Sequence, residues 1–252
     1  MEAAIVAAQR GHDVTLLEKA DHLGGKLVFS RQTEFKKDLM KFMDYQIHMV
    51  EKLGVQVRLN TEATPELVTS MEPDAVLAAV GADPIVPPIP GVDGKNVITA
   101  EQCYEKGLKG EDMGDHIAVL GGGLVGCETA LYLSMYLGKR VTLIEMTRAI
   151  AQEEYSIPRQ ALVEHMDEYV TYYCGVRCTG ITQQGMEVAD SFGNTALIEA
   201  DTVVLAAGMR ARSQQAEQFR GLSLFFEPIG DCVVAKNVRG ATRSGYDAAS
   251  RL

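Results

Sequence analysis

Apolar positions along the chain repeat one strand–helix–strand rhythm. Its fullest instance is "HIAVLGGGLVGCETALYLSMYLGKRVTLIE", His116–Glu145. Ile117–Leu120 is a short apolar run, suited to a parallel strand buried on both faces. Helix formers follow from Cys127 to Leu137, then a turn at Gly138 and a second apolar strand over Val141–Ile144, closed by Glu145. The opening of the chain carries a shorter form of the rhythm. Met1–Gln9 reads as a helix, and Val14–Leu17 as a buried strand ending at Glu18. Between Glu18 and Gly54, the residues Phe35, Leu39, Phe42, Met43, Ile47, Val50 and Leu53 share one helical face, with Lys36, Lys37, Lys41 and Asp44 off it. That stripe predicts a crossover helix packed on a core.

Laid side by side, the two stretches align. Met1 falls on Cys127, Glu2 on Glu128 and Ala4 on Ala130; one residue of gap then puts Val14 on Val141 and Glu18 on Glu145. Further on, "KLGVQVRLN" (Lys52–Asn60) matches "YCGVRCTG" (Tyr173–Gly180), a glycine turn before an alternating strand. "PDAVLAAVGADP" (Pro73–Pro84) matches "ADTVVLAAGMR" (Ala200–Arg210). Landmarks recurring in one order imply an internal duplication. On this alignment the opening is a copy cut just after its third glycine, expected to lack its first strand and its glycine loop. "PIVPPIPGVDG" (Pro84–Gly94) reads as a linker, because its prolines forbid helix and central strand. Gly107–Asp115 reads as a loop, and the chain closes on a helix from about Gly240.

The chemistry sits in the complete copy. Gly121, Gly123 and Gly126 form G-x-G-x-x-G between a strand and a helix, with Glu145 at the end of the next strand. This is the dinucleotide-binding fingerprint in its full context. The first glycine makes the turn, the second admits the pyrophosphate to the backbone, and the third lets helix and strand pack closely. The helix N-terminus favours the phosphates, and the acidic residue accepts hydrogen bonds from the adenosine ribose. A glycine-rich turn in another α/β protein, such as a methyltransferase, is the competing reading.

Composition narrows the partners. With 34 acidic against 24 basic side chains the formal charge is −10, which argues against nucleic acid or an anionic membrane. No apolar run approaches the roughly 20 residues that span a bilayer. The five cysteines (Cys103, Cys127, Cys174, Cys178, Cys232) show no framework spacing and read as reduced thiols of a cytoplasmic protein. Cys174 and Cys178 read as packing residues. The five histidines are scattered, so no metal site is expected.

Two dinucleotide-binding units in tandem resemble the two-domain flavoprotein reductases, in which the first unit binds FAD and an inserted second unit binds a nicotinamide nucleotide. "LGGK" (Leu23–Lys26) resembles the loop over the FAD pyrophosphate, implicating Gly25 and Lys26 alongside Glu18. "AAVGADP" and "LAAGMR", with Gly81 and Gly208, resemble the motifs that mark chain crossings between domains. "IGDCVV" (Ile229–Val234) resembles the motif whose Asp, here Asp231 after Gly230, holds the flavin ribityl chain. Local backbone capping is the plainer role for Asp231. "RGATRSGYDAA" resembles the helix facing the isoalloxazine ring. Glu128, placed in the first turn of the nucleotide-domain helix, lies near the nicotinamide by resemblance, or else simply favours the helix N-terminus. Cys232 lies near the flavin on the same grounds, or serves packing.

"EKADHLGGKL", "PPIPGVDGKNVITAEQ" and the closing helix are most similar to the C-terminal half of the 2-enoate reductase, 2,4-dienoyl-CoA reductase and trimethylamine dehydrogenase-like NADH:flavin oxidoreductases, relatives of old yellow enzyme. The resemblance implies an α/β fold of two Rossmann-like three-layer domains, the second inserted in the first and the first truncated at its N-terminus. It implies an FAD-type domain over residues 1–103 and 214–252 and an NAD(P)H domain over 104–213. It implies hydride transfer from NADH to FAD, for onward reduction of an enoate or enoyl-CoA type substrate in a missing N-terminal barrel that carries FMN and an iron–sulfur cluster. Catalytic side chains are not expected, since stacked rings need mainly orientation. The chain is expected to be a fragment or shortened product that purifies largely free of FAD and still binds a nicotinamide nucleotide. Two alternatives stay open: an NAD-binding fragment without catalysis, and a stand-alone NADH oxidase or ferredoxin reductase-like enzyme. Arg148 is the signal competing with Glu145 in the choice of NADH over NADPH.

Overall fold

The computed structural model describes residues 1–152 and 156–252. The chain divides into two compact units, Met1–Asp83 with Met209–Leu252, and Pro84–Gly208.

The first unit opens with α1 (Glu2–Gln9), an alanine-rich helix whose Ile5, Val6 and Ala7 are buried. Strand β1 (Thr15–Leu17) follows, then α2 (Lys37–Lys52). On α2 the apolar stripe turns inward at Met43 and Val50. Two positions depart from the pattern. Phe35 lies in the 3-10 turn ahead of the helix and is exposed, while Gln46 is buried and donates to Glu2 Oε2 at 2.5 Å. Strand β2 (Gln56–Arg58) pairs in parallel with β1. Helix α3 (Pro65–Ser70) starts with Pro65 at its first position and the Thr64 hydroxyl accepting from Leu67 N–H. Strands β3 (Ala75–Ala78) and β4 (Ala82–Pro84) close this half.

The second unit holds β5 (Val97–Thr99), α4 (Ala100–Lys109), β6 (His116–Leu120), α5 (Leu124–Leu131), β7 (Arg140–Glu145), α6 (Ser156–Tyr169), β8 (Thr171–Cys174), β9 (Val176–Thr182), β10 (Gly185–Asp190), β11 (Thr195–Glu199) and β12 (Thr202–Leu205). Five of these strands form a parallel sheet in the order β5-β12-β6-β7-β8, the Rossmann-like arrangement. Ile117, Ala118, Val119, Val203 and Val204 are buried, as a parallel strand covered on both faces requires. Thr99 and Gln102 form a capping box at the start of α4. Strands β9, β10 and β11 make an antiparallel meander.

The chain then returns to the first unit with β13 (Met209–Ala211), α7 (Ser213–Glu217), β14 (Phe225–Pro228) and α8 (Val238–Ala249). β13 pairs with β4, and β14 pairs in parallel with β3. Among the described residues the strands of this unit thus form three separate pairs, β1-β2, β14-β3 and β13-β4.

The two units meet at 83/84 and 208/209, and β5, paired with β12, lies in the second together with α4. Two expectations are corrected. The Pro-rich segment is not a free linker. Pro90 O accepts from Ile181 N–H at 2.8 Å, Asn96 Nδ2 donates to Thr182 O at 2.9 Å, and Ile89 and Val92 join the core of the second unit. Gly91 is required there, since a Cβ would stand 1.9 Å from Ile181 O. The counterpart of β2 is β8 and not β9: β2 pairs with the strand before Glu18 as β8 pairs with the strand ending at Glu145. Gly54 and Gly175 therefore occupy different places in the repeat.

Candidate functional site

In the second unit the site forms at the carboxyl ends of β6, β12 and β7, where open parallel sheets bind ligands. β6 runs into Gly121, whose φ of +109° only glycine adopts comfortably. A Cβ on Gly121 would lie 2.4 Å from Ala206 O, and one on Gly126 would lie 1.8 Å from Gly121 O. Gly123 is the N-cap of α5 in an extended conformation and, as a glycine, brings no side chain of its own to the helix end. These four observations describe a bare backbone cradle at a helix N-terminus. It fits the pyrophosphate of a dinucleotide.

Glu145 closes the cradle. Its Oε2 accepts from Gly122 N–H at 2.6 Å and its Oε1 from Thr147 N–H at 2.6 Å, with the residue 8% exposed. A carboxylate offers about four acceptor positions, so two stay available to ribose hydroxyls. Gly122 is also held through its carbonyl, which accepts from Ala151 N–H at 2.7 Å and lies 3.4 Å from Cys127 Sγ. Ala151 has φ of +49°, a left-handed conformation uncommon for a residue with a side chain. Sequence reasoning missed Ala151 and Thr147, because both act through the backbone and leave no side-chain signal.

Glu128 is placed differently from expectation. The helix begins at Leu124, so Glu128 lies in its second turn, half-buried and close enough to raise the Tyr104 hydroxyl electrostatically. Desolvation is the larger cause of that rise. Tyr104 stacks on Tyr132 at 4.7 Å between centroids. Burial pushes the Cys103 thiol up to about 12 and the Tyr132 hydroxyl up to about 12. The turn from Tyr132 to Tyr136 is a π-helical one.

In the first unit the remaining candidates also cluster at the carboxyl ends of parallel strands. Glu18 follows β1 and accepts from Ala20 N–H at 2.9 Å. Gly25, with φ of +52°, opens a 3-10 turn, and Lys26 beside it donates to Ala82 O at 2.9 Å. Gly81, with φ of +77°, follows β3, and its carbonyl accepts from Arg212 N–H at 3.1 Å. The Arg212 guanidinium binds Asp83 and the Val80 carbonyl, and holds the Asp83 carboxyl below its ordinary range. Gly230 follows β14 and is tied to α8 by a 2.8 Å bond from its N–H to Ser244 Oγ. Asp231 Oδ1 is buried with no hydrogen-bond partner. A buried polar atom without a partner costs about 1–3 kcal/mol, which favours a ligand hydroxyl at that point over a local capping role. That atom fits the flavin ribityl group. Cys232 is fully buried, its Sγ 3.1 Å from both Ala78 O and Ile229 O, which makes it a packing residue. Asn237 caps α8 through a 3.0 Å bond from Gly240 N–H, two residues earlier than the sequence implied. Gly208, with φ of +100°, ends the second unit and accepts from Ile85 N–H at 2.9 Å.

The chain belongs to the pyridine nucleotide-disulphide oxidoreductase family, whose profile matches residues 1–242. It is 35% identical over 257 residues to a bilirubin reductase of Mediterraneibacter gnavus, covering 100% of this chain and 39% of that protein. It is 32% identical over 260 residues to a cinnamate reductase of Clostridium sporogenes, covering 100% of this chain and 37% of that protein. A 2-naphthoyl-CoA reductase in complex with 2-naphthoyl-CoA superposes with a TM-score of 0.93 at 29% identity, covering 100% of this chain and 38% of that one. The chain thus spans well under half the length of these three relatives. Among the described residues no helix is long and apolar enough to cross a membrane.

Proposed function

We propose that this chain is the electron-input module of a flavin-dependent oxidoreductase, with residues 84–208 as an NADH-binding domain inserted in an FAD-type domain. The observation that carries the reading is the bare cradle of Gly121, Gly123 and Gly126 closed by Glu145. When bound, NADH would supply a hydride and FAD would serve as its acceptor. The chain's own residues bind and orient. Gly121–Gly126 and the α5 N-terminus take the NADH pyrophosphate, Glu145 the adenosine ribose, and Glu128 borders the nicotinamide. Glu18, Gly25, Lys26, Gly81, Gly230 and Asp231 hold FAD, and the Asn237-capped end of α8 favours negative charge on the reduced ring. Gly208 marks the return crossing.

The similarity to cinnamate and 2-naphthoyl-CoA reductases supports a conjugated acid or its CoA thioester as final acceptor. That acceptor would be reduced in a further domain of the whole protein, a barrel carrying FMN and an iron–sulfur cluster. The free state of all five cysteines supports a cytoplasmic setting. Titration with both reduced nucleotides by calorimetry tests the cofactor choice: a carboxylate at the ribose repels a 2′-phosphate, so tighter NADPH binding overturns it. Bleaching of added FAD by NADH tests the flow of electrons. The division of the first unit's described strands into three separate pairs favours a second reading, a nicotinamide-binding fragment without catalysis. NADH binding without any bleaching is its signature.

A further inference from the structure

The loop after β6 can be accounted for donor by donor. Gly121 N–H donates to Ile144 O at 2.9 Å, and Gly122 N–H to Glu145 Oε2 at 2.6 Å. Gly123 N–H makes no hydrogen bond among the described residues. It is the one donor of the three glycines left for a ligand to meet.

The direction of that donor is set by its own peptide plane. The Gly122–Gly123 peptide is flat, and its C=O and N–H point opposite ways. Gly122 O accepts from Ala151 N–H at 2.7 Å. Holding the carbonyl toward Ala151 turns the Gly123 N–H away from it. The loop also emerges on that course: Gly122 is buried, Gly123 and Leu124 are half-buried, and Val125 is exposed. Gly122 has little room to roll, since a Cβ on it would meet Glu145 Cβ at 2.8 Å and Ile150 Cγ2 at 2.9 Å.

Ala151 makes its contact in an unfavourable conformation. Its φ of +49° persists in a residue with a side chain only where the surroundings over-determine it. They do so here. Ile150 and Ala151 are 2% and 1% exposed. Ile150 O accepts from Arg159 Nε at 3.1 Å, and Ala149 O from Thr147 Oγ at 3.0 Å and Gln152 Nε2 at 2.9 Å. Thr147 O accepts from Gly175 N–H at 2.7 Å. The segment after β7 is thus braced from both sides, and its strained residue is the one that touches the glycine loop.

We propose that Ala151 is a positioning residue for phosphate binding: its N–H holds the Gly122 carbonyl inward and so presents the Gly123 N–H to the pyrophosphate. This rests on the reading of Gly121–Gly126 as the NADH cradle. Ala151 touches no ligand; it acts through one peptide plane. Freed from Ala151, that plane can turn, and the Gly123 N–H then leaves the phosphate. The ribose contact at Glu145 does not depend on the plane. Ala151 therefore governs ligands that carry the pyrophosphate and is indifferent to adenosine.

The test uses the full chain with lactic acid in place of Ala151, which puts an ester oxygen where the N–H stood. Arg159→Gln controls for the weaker acceptor that the ester leaves at Ile150 O, and Ala151→Gly keeps the N–H while relieving the positive φ. Calorimetry with NADH and NMR titration with adenosine read affinity. Expected in the ester variant is NADH binding weaker by about tenfold or more, the loss of one charge-assisted hydrogen bond, with adenosine binding unchanged. Ala151→Gly and Arg159→Gln should bind both ligands as the parent does. In the glycine-labelled parent, inorganic pyrophosphate should move the Gly123 amide signal; a signal that stays put overturns the proposal without any variant. So does equal weakening of NADH and adenosine in the ester variant, which marks a merely structural role, and so does NADH binding that the ester leaves intact. A parent that binds no NADH overturns the cradle reading and the proposal with it, whereas a parent that binds NADH beside an unaffected ester variant overturns the proposal alone.

Discussion

The carboxylate of Glu145 accepts a 2.6 Å hydrogen bond from Gly122 N–H, so the last residue of one strand holds the loop that follows its neighbour. Glu145→Ala strips two backbone N–H groups of their acceptor, at a cost of about 1–3 kcal/mol for the buried Gly122 donor and less for the part-buried Thr147 one. Glu145→Gln keeps one carbonyl acceptor and should cost less, on the order of 1 kcal/mol. Chemical denaturation ranks the two; equal midpoints for both variants and the parent would show that the clamp is idle. NADH affinity should fall about tenfold or more in Glu145→Ala, the loss of roughly one charge-assisted hydrogen bond.

Two glycines separate steric from conformational need. Gly138 has φ of +65° with open space where a Cβ would go, so Gly138→Ala costs only the left-handed conformation, about 1–2 kcal/mol. Gly126→Ala puts a methyl 1.8 Å from a backbone oxygen, and something must shift. Overpacking of this kind costs about 1–3 kcal/mol even where side chains can give, and here the neighbour is backbone. Gly126→Ala should also abolish NADH binding, which Gly138→Ala should leave intact.

The thiols should react in two classes. Cys103, Cys127 and Cys232 are buried, while Cys174 and Cys178 are partly exposed. Iodoacetamide at pH 8 should label only Cys174 and Cys178 in the native chain, and all five after unfolding, as peptide mass spectrometry would read. The same burial makes an alkaline prediction. Cys103 ionises at about 12 when folded against 9.0 ordinarily, so its contribution is full below pH 9 and is lost as pH rises toward 12. Tyr132 adds to that loss between 10.0 and about 12. Cys103→Ala should flatten the fall in stability over this window.

On the acid side, the Arg212 guanidinium lowers the Asp83 carboxyl from 3.8. Its stabilisation is therefore present above about pH 4 and disappears as pH falls through the lowered value. The pair is about a third exposed on each side, so Asp83→Asn should cost only about 0.2–1 kcal/mol. The difference between variant and parent should be measurable at pH 7 in low salt and absent near pH 2.

Asp231 gives the opposite expectation from Glu145. Because its buried Oδ1 has no partner, Asp231→Ala should leave the melting temperature of the unliganded chain unchanged or raise it. A drop of several degrees would mean that the side chain supports the fold rather than awaiting a ligand.

Much of this was legible in the chain. The strand at Ile117–Leu120, the loop at Gly121–Gly126 and the acid at Glu145 all stand where the pattern put them, because apolar period and glycine position act over a few residues. The boundary at Pro84 was not legible. Prolines announce an extended path, but whether that path hangs free or is sewn to β9 depends on Ile181 and Thr182, far along the chain from Pro90 and Asn96. The likeness of "KLGV" and "YCGV" misled for a related reason: local resemblance says nothing of which strand pairs with which. Ala151 left no trace, since its contribution is one backbone N–H in an uncommon conformation.

The bond from Ile85 N–H to Gly208 O fastens the first residues of the second unit to its last. During synthesis this has an order built into it. Once Gly208 has left the ribosome, every strand of the five-stranded sheet is available and that unit can close upon itself. The first unit, begun earlier, must wait for β14 and α8. The part of the polypeptide made second is the part that finishes first, and the opening residues spend that interval with α1 lacking its partner helix.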